Sequence, residues 1–327
     1  MNFEIHHRPR RLRDHSVLNS MITETSLSTH DLVLPVFLTE KGKSPEPISS
    51  MPEIFRWPIG VLVEKLEEWK ALGIKCFAVF PHITHSKKDP MGNEILNPSS
   101  LAYRAAREIK AKVKDIALIA DLALDPYTTH GHDGILSSDG RVDNDKTVEV
   151  LAQASILAAE AGYDMVAPSD MMDGRILKIR KSLDGQGHAQ TGIISYSAKF
   201  SSSYYGPFRD AIDSKTEVAV DKSGYQLNPA NFREAQRELE LDHLEGADVL
   251  MVKPAEPYLD IIRHAKTSYN LPIAAYQVSG EYSRIWAAHL QGWLDLEKCA
   301  MESLLSIKRA GADLIFTYFA ERASRLV

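Results

Sequence analysis

Two lysines end apolar segments of the sequence, where a folded enzyme could use an amine. Lys253 ends the run VLMVK, and Pro254 directly after it restricts the lysine backbone to extended conformations. Lys199 follows the run GIISYSA. Because an ammonium group is costly to bury, one such lysine is most simply a partly exposed residue at the rim of a domain. Two at equivalent positions favour a role in chemistry.

The chemistry that paired lysines offer is imine formation. An ordinary lysine, with a pKa of about 10.4, is almost fully protonated at neutral pH and cannot attack a carbonyl. Two ammonium groups in one partly dry pocket disfavour each other's charge, so at least one is driven towards the neutral amine. That amine adds to a ketone or an aldehyde, and the protonated imine acts as an electron sink. Because the pair titrates as a coupled unit, the sequence assigns no pKa to either lysine.

Alternating strand and helix patterns must position these lysines. Four helical stretches end at a glycine that precedes an apolar run, and the glycines are Gly73, Gly162, Gly246 and Gly311. Four further apolar runs begin at Leu32, Ile116, Gly192 and Pro272. Eight units of about 40 residues fill the chain, which predicts a single (β/α)8 TIM barrel over residues 31–327. The alternative, a doubly wound sheet, would carry a glycine-rich phosphate loop, and neither GxGxxG nor GxxxxGK[ST] occurs.

Three helix boundaries can be predicted from local signals. Pro58 is placed to open a helix that Gly73 closes. A second helix has an apolar face from Val148 to Ala161. For a third, Asn228 followed by Pro229 predicts an N-cap and a first helical turn.

Composition excludes several classes of protein. The 327 residues are 44% hydrophobic and 25% charged, as in soluble globular domains. No apolar run approaches the roughly 18 residues of a membrane span, and no secretory signal is visible, so we expect a cytoplasmic protein. A net charge of −6 disfavours a general nucleic-acid binder. Two cysteines, Cys76 and Cys299, cannot build a disulfide framework or a thiolate zinc cage.

Residues 1–30 precede the first predicted strand and form a predicted N-terminal arm for subunit contacts. The segment RPRRLR within this arm could also be a nucleic-acid patch. In an acidic chain of enzyme size, the interface arm is the better interpretation.

Polar residues end several of the predicted strands. In a barrel of this kind the working residues lie at the carboxyl ends of the strands. The residues that the sequence places there are Asp121, Ser169, Asp170, Lys199, Lys253, Ser279 and Tyr318.

The segment of about residues 200–226 is a predicted lid. It follows Lys199, is rich in Ser, Gly and Tyr, and is longer than most loops that lack a function. Its basic residues Arg209, Lys215 and Lys222 indicate a carboxylate substrate, with Arg209 a candidate for bidentate binding. An ordinary solvated loop is the alternative, and for Lys215 it is equally good.

The segment ADLALDPYTTHGHDG, residues 120–134, carries oxygen and imidazole groups that could bind a cation. These groups belong to Asp121, Asp125, His130, His132 and Asp133. Neither HExxH nor CxxC is present, and a loop held by Asx turns explains the pattern at least as well.

Taken together, five motifs resemble the porphobilinogen synthase (5-aminolevulinate dehydratase) family over residues 8–322. They are YSAKFSSSYYGPFRDA, MVKPAEPYLDI, APSDMMDGR, YQVSGEY and RPRRLR. The resemblance implies a lyase that condenses two molecules of 5-aminolevulinate into porphobilinogen with loss of two waters, in tetrapyrrole (heme) biosynthesis. It implies Schiff-base catalysis without an organic cofactor.

The resemblance also assigns roles residue by residue. Lys253 would form the Schiff base with the first-bound substrate, and Lys199 would engage the second. Arg209 and Lys222 would bind one substrate carboxylate, and Gln226 would belong to the lid contacts. The hydroxyls of Ser279 and Tyr318 would hold the other carboxylate. Asp121 and Ser169 would lie near the substrate amine.

The sequence departs from the zinc-dependent members of that family in one loop. Where those members carry three cysteines, this chain has Ala123, Asp125 and Asp133. Thiolates prefer zinc, whereas carboxylates suit magnesium or another hard cation, so the sequence resembles the cysteine-free, magnesium-responsive branch, and no catalytic zinc is expected. Glu245 matches that branch's allosteric magnesium site, although an acidic residue beside a helix end explains it too. Whether Asp125 and Asp133 hold an active-site cation stays open.

The resemblance further implies a homo-octamer built from dimers, with the arm embracing a neighbour.

Two other hypotheses differ in class. An imine-forming aldolase on the same fold usually needs one lysine. A binding scaffold built on RPRRLR and the lid would show strongly salt-dependent nucleic-acid affinity, which the net charge disfavours.

Overall fold

The computed structural model describes residues 6–212 and 221–327. Lys215 and part of the predicted lid lie outside these residues, as do residues 1–5 of the predicted arm. Within the described ranges, no helix is both long enough and apolar enough to cross a membrane.

Eight parallel strands close into a barrel, so the predicted TIM barrel is confirmed. In order around the barrel they are β1 Leu32–Thr39, β4 Cys76–His82, β5 Ala117–Leu122, β6 Met165–Pro168, β7 Gly192–Lys199, β8 Val249–Lys253, β9 Ile273–Gln277 and β10 Leu314–Thr317. Pairing of β10 with β1 completes the ring. Each strand coincides with one of the eight predicted apolar runs, because buried parallel strands are apolar on both faces.

Two short strands that the sequence did not predict extend the barrel beside β1. They are β2 Glu46–Pro47 and β3 Phe55–Trp57, and β3 pairs in parallel with the end of β1. With two and three residues, they are too short to show a period.

Helices follow the strands around the outside. The α-helices are α1 Arg10–Arg13, α2 Ser16–Met21, α3 Ile59–Ala71, α4 Leu101–Lys112, α5 Asn144–Ala161, α6 Arg175–Gly185, α7 Gly206–Ala211, α8 Phe232–Leu244, α9 Leu259–Ser268, α10 Ser279–Leu290, α11 Leu296–Ala310 and α12 Ala320–Ala323. Short 3-10 helices cover Thr29–Asp31, His85–Lys87, Asn93–Leu96, Ser203–Tyr205 and Glu256–Tyr258.

The predicted helix boundaries are right in two cases and wrong in the third. Pro58 caps α3, and α5 ends at Gly162 with a φ of 98°, the left-handed conformation expected of a C-terminal glycine. The prediction from Asn228 is wrong by one turn, because Asn231 is the N-cap of α8. The Asn228 side chain instead accepts a hydrogen bond from the Ala230 N–H at 3.0 Å, and so closes a turn before the helix.

The part of the predicted arm that the structure describes carries two short helices without buried residues. Neither α1 nor α2 buries a side chain. Val17 and Met21 in α2 are 58% and 75% exposed. An apolar helix face in water is typical of a segment that packs on a partner.

Strand pairing brings the two lysines side by side at one end of the barrel. In the register of β7 and β8, Lys199 is the direct partner of Lys253. The layers below this end are filled by aromatic side chains such as Phe37 and Phe80, whose ring centroids lie 5.8 Å apart. The carboxyl end of the barrel is therefore the floor of a pocket above a packed core.

Candidate active site

Lys253 lies in an aromatic cage. Its side chain is buried, and its nitrogen lies 4.4 Å from the ring centre of Tyr276 and 4.9 Å from that of Tyr196. The rings of Phe208 and Tyr205 follow at 5.3 and 5.4 Å. Among the described residues, aromatic faces rather than acceptor atoms surround this amine, so no hydrogen bond offsets the cost of burying its charge.

Burial and a neighbouring charge shift the pKa of Lys253. Burial in the cage and the nearby Lys199 ammonium lower the pKa of Lys253 to about 7, although Asp121 opposes them. Near neutral pH a large fraction of this lysine is therefore the free amine that imine formation requires. Burial likewise raises the pKa of Asp121 to about 7, against the attraction of Lys253. The pKa values of these two groups therefore lie close together.

Lys199 has acceptors that Lys253 lacks. Its ammonium donates to the main-chain carbonyl of Ser169 and lies 3.3 Å from a carboxylate oxygen of Asp133. The two lysines of the pair therefore differ in their surroundings: Lys199 is hydrogen-bonded to oxygen acceptors, and Lys253 is enclosed by aromatic rings.

Lys222, from the end of the predicted lid, completes a buried network of charges. Its nitrogen lies 2.6 Å from Asp133 and 3.3 Å from Asp125. Burial alone would lower the pKa of Lys222, but the two carboxylates outweigh it and raise that pKa. Burial would raise the pKa of Asp133, but the Lys199 and Lys222 ammoniums outweigh it and lower that pKa. Burial raises the pKa of Asp125 against the attraction of Lys222, so the two acids of this network differ.

Neighbouring residues of the lid segment close against the loop of residues 120–134. The Gln226 amide donates to Asp133 at 3.4 Å, and the Tyr225 hydroxyl accepts from the Asp133 N–H at 3.3 Å. The ring of His132 lies with its Nδ1 3.2 Å from the same hydroxyl. The lid segment and the aspartate loop are therefore one unit in this conformation.

The remaining predicted contacts lie around the same pocket. The Ser279 hydroxyl accepts from the Phe208 N–H at 2.9 Å, and the Tyr318 hydroxyl lies 3.0 Å from that of Tyr276. Arg209 is half-buried in α7, where its charge acts on Tyr205 and Tyr225. The structure thus brings together at the carboxyl end of the barrel the nine residues predicted for catalysis and substrate contact.

Asp170 also ends a strand, but it faces a different partner. It is buried against the equally buried Arg175, with 3.7 Å between Asp170 Oδ2 and Arg175 Nε. Arg175 also lies 3.3 Å from Asp242 and donates to the carbonyl of Tyr196 at 3.2 Å. This ion network ties β6, β7 and α8 together behind the pocket.

The metal that the family resemblance implies can be tested against these side chains. A three-cysteine zinc site does not fit, since Cys76 begins β4 at the opposite end of the barrel and Cys299 lies in α11. A divalent cation between Asp125 and Asp133 does not fit this arrangement either, because the Lys222 ammonium takes that space. Within residues 6–212 and 221–327, no three His, Cys, Asp or Glu side chains form a metal cluster.

Glu245 lies apart from the pocket, at the C-terminal end of α8. Its carboxylate accepts from the Leu177 N–H at 3.2 Å, in the first turn of α6. It lines a cavity of about 340 Å³ together with Glu238 and Asp173. Burial and neighbouring acids raise the pKa of both Glu238 and Glu245. Asp242, Arg175 and Arg237 also line this cavity, so its acids outnumber its arginines by four to two, a charge compatible with a hydrated Mg²⁺ held by one or two carboxylates.

Sequence reasoning missed the aromatic cage around Lys253 and the hydrogen bonds of Tyr225 to the loop of residues 120–134. Tyr196 and Tyr276 lie within predicted strands, where aromatic residues usually signify only packing. Tyr225 lies in the predicted lid without a distinguishing neighbour. Asp170 and Arg175 share the motif APSDMMDGR, and a charged pair flanking an apolar strand end was the available signal for their network.

Comparison with known proteins agrees with this geometry. The family model for delta-aminolevulinic acid dehydratase matches residues 6–326. The delta-aminolevulinic acid dehydratase of Bradyrhizobium diazoefficiens is 47% identical over 317 residues, covering 97% of this chain and 90% of that protein. The one from Chlamydia pneumoniae is 47% identical over 313 residues, covering 96% and 94% respectively.

A solved structure agrees as well. The delta-aminolevulinic acid dehydratase (porphobilinogen synthase) of Toxoplasma gondii ME49, crystallised with the reaction product porphobilinogen, is similar with a TM-score of 0.96 and 43% identity. The match covers 99% of this chain and 92% of that one. By sequence, fold and pocket, the chain belongs to the delta-aminolevulinic acid dehydratase family.

Proposed function

We propose that this chain condenses two molecules of 5-aminolevulinate to porphobilinogen, with loss of two waters, through imines on its paired lysines. The observation that carries the proposal is the pairing of Lys199 with Lys253 in register, with oxygen acceptors around Lys199 and aromatic rings around Lys253. Each substrate brings a ketone, an amine and a carboxylate, so the pocket needs two carbonyl-binding groups and cations for the acids.

Lys253 begins the reaction in this proposal. Its free amine adds to the ketone of the first substrate, and loss of one water gives a protonated imine. Asp121, with a pKa raised to about 7, can deliver and take back the protons of these steps. The aromatic cage excludes water that would otherwise hydrolyse the imine.

Lys199 forms a second imine with the ketone of the second substrate, and this step releases the second water. One lysine then leaves as an amine after the C–C bond forms at its imine carbon, and a substrate amine displaces the other lysine as the C–N bond of the ring forms, so that both lysines are regenerated. Lys222 has three ammonium donors and gives two to Asp125 and Asp133, which leaves one for a substrate carboxylate beside Arg209 and Gln226. The hydroxyls of Ser279 and Tyr318 are the proposed ligands of the other carboxylate, and Ser169 is proposed near the substrate amine. No step of this proposal passes through a metal ion.

The test is turnover of 5-aminolevulinate by the purified chain, followed by a colorimetric pyrrole assay and product mass. We expect porphobilinogen, with two substrates consumed for each product. Retro-aldol cleavage without pyrrole would instead favour an imine-forming aldolase. Strongly salt-dependent affinity for DNA or RNA, with no turnover, would favour the scaffold hypothesis.

Glu245 and Glu238 would hold magnesium outside the pocket. The ion would neutralise the acidic cavity between α6 and α8, and those helices carry Arg175 and Asp242, whose network reaches the strand of Lys199. We propose Mg²⁺ as an allosteric activator on this basis.

Magnesium should stabilise the protein through Glu245. We expect saturating Mg²⁺ to raise the Tm of the wild type by about 2–4 °C, since it binds only the folded chain. In Glu245→Gln, which keeps an acceptor for the Leu177 N–H but loses the charge, this shift should vanish. Glu240→Gln, an exposed position on the same helix, is the matched control and should keep the shift. An equal Tm shift in both variants would contradict the site. Recovery of activity with zinc alone, after a chelator has removed bound metal, would contradict magnesium as the activator.

We also propose a homo-octamer built from dimers, in a cytoplasmic setting. The exposed apolar face of α2 supports an arm that packs on a neighbouring subunit. Sedimentation of the full chain should give a mass near eight subunits, and a monomer at micromolar concentration would contradict this assembly.

A further inference from the structure

We propose that Glu281 is a positioning residue for this reaction, because its carboxylate locks the loop that follows Lys253 onto the segment of Val278 and Ser279, where α10 begins. Neither composition nor motif spacing singled it out. The inference depends on the proposed function, since it assigns the residue a role in that reaction.

Glu281 binds three main-chain amides with a buried carboxylate. Its Oε1 accepts from the Glu256 N–H at 2.6 Å, and its Oε2 accepts from the Val278 N–H at 2.6 Å and from the Ala255 N–H at 3.3 Å. The residue has no exposed surface. A carboxylate bound on both oxygens by main-chain donors fixes those donors in direction as well as distance.

The three amides belong to two different active-site loops. Ala255 and Glu256 come two and three residues after Lys253, whereas Val278 directly precedes Ser279. A helix-capping role for α10 would need only the bond to Val278. The two bonds to the other loop connect the Schiff-base lysine to the proposed carboxylate site.

The start of α10 also supports the base of the lid segment. A Cβ atom on Gly280 would lie 2.4 Å from the carbonyl oxygen of Tyr204, so the two main chains are in direct contact. Ser279 accepts from the Phe208 N–H, and the Phe208 ring belongs to the cage around Lys253. Glu281 therefore holds the start of α10 in place. The loop after Lys253, the base of the lid and the ring of Phe208 all contact this part of the helix or lie next to it.

The consequence of losing this link is loss of alignment rather than loss of a reacting group. A displacement of about 1 Å in a pocket of this kind costs on the order of 10²-fold in rate. Glu281→Gln keeps the size and shape of the side chain. Its amide NH2 group, however, must face a main-chain N–H, so that two hydrogen-bond donors point at each other.

The experiment compares Glu281→Gln with Glu240→Gln in the full-length protein. Glu240 is an exposed acid on α8 and takes no part in the link between the two segments, so it is a matched control. For Glu281→Gln we expect KM for 5-aminolevulinate to rise about 10-fold or more and kcat to fall about 10- to 100-fold. We expect borohydride trapping on Lys253 to slow as well. The control should match the wild type.

A role confined to folding would lower the active fraction, so that kcat falls while KM and the trapping rate per active site stay unchanged. That result, or wild-type kinetics in Glu281→Gln, would overturn the proposal. If Glu281→Gln does not fold, Glu281→Asp takes its place, because it keeps the carboxyl group but is one methylene too short to reach both segments. An unchanged KM in Glu281→Asp overturns the proposal too. Absence of pyrrole formation by the wild type would instead reject the proposed function.

Discussion

Replacing Lys253 with methionine should abolish turnover while leaving the protein folded. We expect kcat to fall by at least about 10⁴-fold, the order seen when a covalent catalyst loses its nucleophile. Methionine has a similar length, cannot form an imine, and suits the aromatic cage of Tyr196 and Tyr276. The measurement is the initial rate of pyrrole formation, with the Tm recorded alongside.

Lys298→Met is the control for Lys253→Met, since Lys298 is exposed on α11 and lies outside the pocket. It should have the wild-type rate. If Lys253→Met kept a rate within tenfold of the wild type, imine formation at this position would not be part of the reaction.

Replacing Lys199 with methionine should both suppress turnover and shift the pH dependence of imine formation at Lys253. We expect kcat to fall by about 10³-fold or more, because the second substrate loses its covalent partner. The positive charge of Lys199 helps to lower the pKa of Lys253 to about 7. Without that charge the pKa of Lys253 rises, so less free amine is present at pH 7. The midpoint of trapping against pH should move up by about one unit.

The pH measurement uses borohydride-trapped adduct on Lys253, which needs no turnover. Lys298→Met again serves as the control and should keep the wild-type midpoint. A midpoint that stays in place or moves down in Lys199→Met would show that the two lysines do not interact electrostatically.

The fold and much of the pocket follow from short-range sequence signals. Glycine after a helix and an apolar run after the glycine locate four of the eight strands, because a left-handed helix end costs glycine little. Since the carboxyl ends of parallel strands meet at one end of a barrel, the positions of Asp121, Lys199 and Lys253 follow once the strands are known.

The aromatic cage was beyond such reasoning for a definite reason. Tyr196 and Lys199 are three residues apart, and a regular strand would turn them to opposite faces. The pairing of β7 with β8 shifts in register between Ser195 and Ala198, and this irregularity lets both side chains face the pocket. A register shift of this kind has no signature in the strand's own sequence.

The charge network of Lys222 and the hydrogen bonds of Glu281 could not be predicted from the sequence either. Lys222 is 89 residues from Asp133 along the chain, and composition alone predicted a substrate contact rather than an ion pair. Glu281 reads as an ordinary acidic residue in a first helical turn, and its bonds to Ala255 and Glu256 depend on how two barrel loops meet. Contacts between distant loops are set by the fold and not by local pattern.

The central claim, an imine on Lys253 as the first covalent step, is tested most directly by peptide mass mapping. The wild-type protein is incubated with limiting 5-aminolevulinate, reduced with borohydride and digested. We expect the reduced substrate adduct on the peptide that contains Lys253, with turnover lost in proportion to labelling. An unmodified Lys253 in a protein that still forms porphobilinogen at full rate would contradict the account.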